Sequence, residues 1–149
     1  MARDYFDTEN FEASVIKYLR TQLKDYTVML DESTQDFKGI KNWFFIEFLG
    51  NNGQTKTQPP VNHIMVHLRA TGESADADLA LMMRLAETNL KDKIFDLYDT
   101  EDKNIVGKLR GVILRGFPKE TARQANSSRG FNRSILIKIT YGKVGVAYV

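Results

Sequence analysis

The chain has 149 residues, 42% of them hydrophobic and 11% aromatic; that suits one folded domain burying about 70% of its unfolded surface. It has no cysteine, which excludes thiolate nucleophiles, zinc fingers and a disulfide scaffold and points to an intracellular or redox-indifferent protein. The formal charge of +2 conceals a polarity: residues 105–149 hold nine bases against one acid, Glu120, net +8, while residues 1–104 hold twelve bases against eighteen acids, net −6. Such asymmetry concerns what the surface attracts, whether nucleic acid or an acidic face of another subunit.

Residues 1–10 are polar and acidic where an export signal needs a charged and then an apolar region. No apolar run approaches the roughly 20 residues of a membrane span, so a soluble protein is expected. Phe11, Val15, Leu19 and Leu23 recur every four residues with Ile16 beside them, which predicts a helix over 9–24, capped by Thr8 or Asn10. Residues 26–30 suit a short strand, and 31–38 form a polar connector. Residues 43–49 (WFFIEFL) are apolar on both faces apart from Glu47 and read as a central strand.

The run Gly50-Asn51-Asn52-Gly53 signals a turn, and Pro59-Pro60 cannot donate to a central ladder, so 50–61 reads as a projecting loop. In the strand expected over 62–70, Ile64, Val66 and Leu68 share one face and His63, Met65, His67 and Arg69 the other. Ser74 is placed as the cap of a second helix whose apolar face is Leu79, Met82, Met83, Ala86 and Leu90. Residues 94–98 are read as a further helical turn before an acidic connector. Strands over 108–117 and 134–141 follow, joined by a basic flexible loop at 118–133.

The order α-β-β-β-α-β-β predicts one α+β domain over 1–149. Its sheet is mixed or mostly antiparallel with about five strands, and two main helices pack on one side.

His63 and His67 suggest a metal pair, but on a strand four residues put them about 13 Å apart, too far for one ion. Asp96, Asp99, Glu101 and Asp102 lack the pattern of a calcium loop. Glu101-Asp102-Lys103 matches a nuclease fragment without the second acid such a site needs. With no phosphate loop and no nucleophile elbow, the reading is of a non-enzyme without metal or cofactor.

The remaining signals are surfaces. Lys119, Arg123, Arg129 and Arg133 fall in or beside the 118–133 loop, where they are placed to neutralise phosphates. The apolar segment 142–149, with Val144, Val146 and Tyr148, either finishes the last strand or adds to a neighbouring sheet. The arm carrying Gln54, Lys56, Gln58, Pro59 and Pro60 is a candidate contact with a neighbour, because a partner surface offsets the entropy of ordering it.

An amphipathic first helix, strands around a projecting loop, a long helix after the Gly72-Glu73-Ser74 turn and two closing strands around a basic loop follow one another over residues 10–141. In this order and size the chain resembles the tail terminator (tail completion) proteins of tailed bacteriophages and phage-tail-like particles. The resemblance implies a virion protein of the tail or neck, made in the host cytoplasm. It implies a homo-oligomer, a six-subunit ring that caps the tail tube, ends its polymerisation and meets a neck or head-completion protein, with DNA passing through its lumen. Lys119, Arg123, Arg129 and Arg133 are then expected on the lumen or an axial face. The alternatives are a small basic nucleic-acid-binding regulator and a generic interaction domain of a larger assembly.

Overall fold

The computed structural model describes residues 8–33, 36–51, 61–101, 103–123 and 129–143. The elements are α1 (Thr8–Gln22), β1 (Thr27–Met29), β2 (Asn42–Asn51), β3 (Val61–Thr71), α2 (Ala75–Leu90), β4 (Ile94–Tyr98), β5 (Ile105–Gly116), β6 (Glu120–Arg123) and β7 (Arg129–Lys143). The fold is α+β. All strands join one sheet in the order β1-β2-β3-β7-β5-β4, with β6 paired to β7. Among the described residues only the β1–β2 pair is parallel.

Alternation fixes the two faces of the sheet. Ile64, Val66, Leu68 and Ala70 of β3 and Ile135, Ile137 and Ile139 of β7 turn into one core, where they meet Phe11, Val15 and Leu19 of α1 and Leu79, Met82 and Ala86 of α2. Both helices therefore cover the same face. α2 lies across the central strands β3, β7 and β5, while α1 touches both β1 and β4, the outermost strands.

That double contact requires curvature. The Tyr98 N–H of β4 donates to Ser14 Oγ at 2.9 Å, and the Thr100 N–H donates to Asn10 Oδ1 at 2.9 Å. Farther along the same helix the Arg20 guanidinium donates to the Val28 carbonyl of β1 at 3.3 Å. Ser14 and Arg20 are separated by about 9 Å of helix rise, whereas six flat strands would span about 24 Å. The sheet is curled into a half-barrel, and α1 closes its open side.

The sheet is larger than the five strands expected, for two reasons. Residues 94–98 form β4 and not a helical turn: α2 stops at Leu90, and Asp92 adopts a left-handed backbone (φ 56°) that reverses the chain. The Asp92 N–H then donates to the Gly111 carbonyl at 2.9 Å, laying Phe95 opposite Leu109. The 118–133 segment, read as a loop, contains β6 and the start of β7, paired from Glu120↔Asn132 to Arg123↔Arg129. Its polar residues hide a strand because β7 supplies the order.

Two caps also differ from expectation. Asn10 lies inside α1, buried and bonded to Thr100, so it does not cap. Ser74 occupies the cap position of α2 but makes no side-chain capping bond; its oxygen accepts from Lys41 Nζ at 2.9 Å and its hydroxyl donates to Asp78 Oδ2 at 2.9 Å.

Candidate interaction surfaces

The two ends of the sheet differ. At one end β7 begins at Arg129, where Gly130 lies opposite both Thr71 and Ala122. The Gly72 N–H donates to the Arg129 carbonyl at 3.3 Å, which ties the β6–β7 hairpin to the turn before α2. A shallow cavity of about 660 Å³ lies there, lined by Gly72, Glu73, Thr121, Arg129, Gly130 and Phe131.

The four bases assigned to the lumen or axial face all belong to this hairpin or its approach, but they are not equivalent. Lys119 Nζ meets Asp76 Oδ1 of α2 at 2.5 Å and sits 4.6 Å from the Phe131 ring centroid. The Arg133 Nε–H donates to the Phe117 carbonyl at 3.0 Å, bracing the crossing from β5 to β6. Arg129 is exposed on the cavity, and Arg123 is its register partner. Two of the four are thus engaged within the subunit, and the Arg123↔Arg129 pair marks the hairpin tip.

At the opposite end, Asn51 pairs with Asn62, Val61 with Thr140, and Gly107 with Lys143. The segment with Gln54, Lys56, Gln58, Pro59 and Pro60 is connected here, as is the segment with Val144, Val146 and Tyr148; both lie outside the described residues. The fifteen residues of β7 separate this end from the hairpin by about 46 Å.

The basic charge of the C-terminal part falls on β5, β6 and β7, beside β4, which comes from the acidic first 104 residues. It is partly neutralised within the chain. Lys108 pairs with Asp96, Arg110 with Asp92 at 3.3 Å, and Lys119 with Asp76, so three bases of the C-terminal third meet acids of the first 104 residues. These cross-strand and hairpin-to-helix pairs have no signal in sequence spacing.

The histidines are outer-face polar residues. His67 lies between Ser134 Oγ at 2.7 Å and Glu47 Oε1 at 3.0 Å, stacked on Phe45; His63 faces Lys138 across the ladder. Asp99 is buried, and its Oδ1 accepts the Glu101 N–H at 3.0 Å, so it holds its own turn. Among the described residues no three metal-binding side chains converge, and no helix is long and apolar enough to cross a membrane.

A polar cluster missed in the sequence joins α2 to β2. The Asp78 carboxylate accepts from Asn42 at 3.1 Å and from Ser74, with Lys41 at 3.9 Å. The hydrogen bonds from Asn42 and then Ser74, helped by the Lys41 charge, hold its carboxyl below the ordinary carboxylate range. On the outer face Trp43 is fully buried, beside Glu32 and Phe37. Its indole N–H donates to Glu32 Oε2 at 2.6 Å, and Phe37 lies 4.7 Å from it.

No protein-family model matches the chain, and no curated protein sequence matches it.

Proposed function

We propose that this protein is a structural subunit of a phage-type tail, acting as a tail terminator. Six copies form a ring that caps the tail tube, ends its polymerisation and joins it to a neck or head-completion protein, with DNA passing through the lumen. The observation that carries this reading is the bipolar build of β7. It joins a basic hairpin tip, Arg123 and Arg129, to an opposite end where the 52–60 and 144–149 segments are connected. Dissimilar ends suit a ring subunit of which one end meets its neighbours and the other faces along the ring axis. The 52–60 and 144–149 segments serve neighbour contacts, and the hairpin forms an axial face toward tube or neck.

Light scattering after size exclusion tests the ring. A species near six times 17.1 kDa, with a central hole in electron micrographs, is expected, as is arrest of tube growth when the protein is added to polymerising tube subunits. Tubes of unchanged length distribution overturn the reading.

The alternative, a small basic nucleic-acid-binding regulator, draws on Arg115 and Lys138, which among the described residues join no acid. It requires a monomer or dimer in solution, and a gene-control phenotype with intact particles would favour it.

A further inference from the structure

The sheet face turned away from both helices carries a row of cations. On β5, Gly107, Leu109 and Gly111 are buried, so Lys108, Arg110 and Val112 point outward; beyond the bulge between Ile113 and Arg115, Arg115 lies opposite Leu136. On β7, Ile135, Ile137 and Ile139 are buried, and Leu136, Lys138 and Thr140 point outward. Lys138 lies opposite Val112 on one side and His63 on the other.

Arg110 and Arg115 are therefore both diagonal neighbours of Lys138, with backbone separations of about 7–8 Å. Lys108 follows Arg110 after about 7 Å. The four make a zigzag row about 20 Å long, a length over which one strand of B-DNA passes about six phosphates.

Lys108 and Arg110 are paired with Asp96 and Asp92, but Asp92 and Arg110 are 56% and 38% exposed. Exposed pairs of this kind contribute little stability, so a phosphate competes with them at little cost. Among the described residues, no ion pair joins Arg115 or Lys138 to an acid. Arg115 is 4.6 Å from the Phe117 ring centroid, which orients the guanidinium without neutralising it.

We propose that the Lys108–Arg110–Lys138–Arg115 row binds the phosphate backbone of double-stranded DNA without reading sequence. Protein interfaces deplete charge at their centre, whereas this row runs along two central strands in the middle of the uncovered face. Among the described residues, no helix or ribbon projects from this outer face to enter a groove, so contacts stop at phosphate. DNA contact thus moves from the 118–133 segment to the outer face of β5 and β7. Under the ring reading this face lines the DNA path, and in that respect alone the inference rests on that reading; binding by the free subunit does not require a ring.

Fluorescence anisotropy with a labelled duplex of about 30 base pairs, using the full chain across a salt series, tests it. Wild type is expected to bind at low salt and weaken steeply as salt rises. Arg115→Glu with Lys138→Glu is expected to lower affinity at least about tenfold and flatten the salt slope by about two, while Arg129→Glu changes affinity less than about twofold. Should the double reversal unfold the protein, Arg115→Gln with Lys138→Gln removes both charges more gently and must show the same loss. Absent wild-type binding at the lowest salt, equal loss from Arg129→Glu, or tighter binding of polyglutamate than of DNA overturns the proposal. Tube arrest with no DNA binding would sink this inference and leave the ring standing.

Discussion

The Ser14 hydroxyl accepts the backbone N–H of Tyr98 at 2.9 Å, across 84 residues of sequence, and so covers an edge of the sheet that would otherwise be open. An unpaired strand edge invites pairing with other chains. Ser14→Ala removes the acceptor without adding bulk at this buried position, leaving the Tyr98 N–H unpaired. A loss of about 1–3 kcal/mol is expected, measured by urea denaturation, with greater aggregation on heating. An unchanged midpoint would mean that α1 does not seal this edge.

Gly130 and Gly116 separate a forbidden close approach from a permitted one. A Cβ at Gly130 would lie 2.0 Å from the Ala70 carbonyl oxygen; at Gly116 it would meet the end of the Met83 side chain at 3.4 Å. Gly130→Ala is expected to cost more than about 4 kcal/mol or to prevent soluble expression. Gly116→Ala is expected to stay within about 1 kcal/mol of the parent. Thermal melts of the pair decide it.

Asp78 links stability to acid. Its carboxyl titrates below the ordinary range in the folded chain, so its contribution is present above the unfolded value of 3.8 and is lost as pH falls through the lowered folded value. Asp78→Ala is expected to lower Tm at pH 7 by roughly 2–4 °C, with the gap to the parent narrowing as pH drops below 4. Melts from pH 7 to pH 2.5 follow it; a gap constant with pH would remove the carboxylate from the account.

Trp43, the single tryptophan, reports on the outer-face connector. Glu32 accepts its indole N–H and also pairs with Arg69 at 3.3 Å. Glu32→Ala is expected to shift tryptophan emission to longer wavelength and destabilise the fold by about 1–3 kcal/mol. Glu32→Gln retains an acceptor for the indole and should keep most of the blue emission.

Much of this architecture was legible from periodicity. The four-residue spacing of Phe11, Val15 and Leu19 and the alternation of Ile64, Val66 and Leu68 each belong to one element, and each holds in the fold. Residues 94–98 carry the same kind of alternation, with Phe95 and Leu97 inward, but five residues directly after a long helix do not separate a strand from another turn. Residues 120–123 carry no apolar signal, since their strand comes from register with β7. The bases of the 118–133 segment were visible as charge, but their partners Asp76 and the Phe117 carbonyl were not, because tertiary contact sets those. The outer-face row was hidden for a related reason: Lys108, Arg110, Arg115 and Lys138 converge only once β5 and β7 are in register.

The central position of β7 also bears on load. A pull applied between the hairpin tip and the Lys143 end runs along the axis of a strand laddered to β3 on one side and to β5 and β6 on the other. Such a load shears the flanking backbone hydrogen bonds together and does not peel them one at a time, so the subunit is stiffest along the line joining its two dissimilar ends.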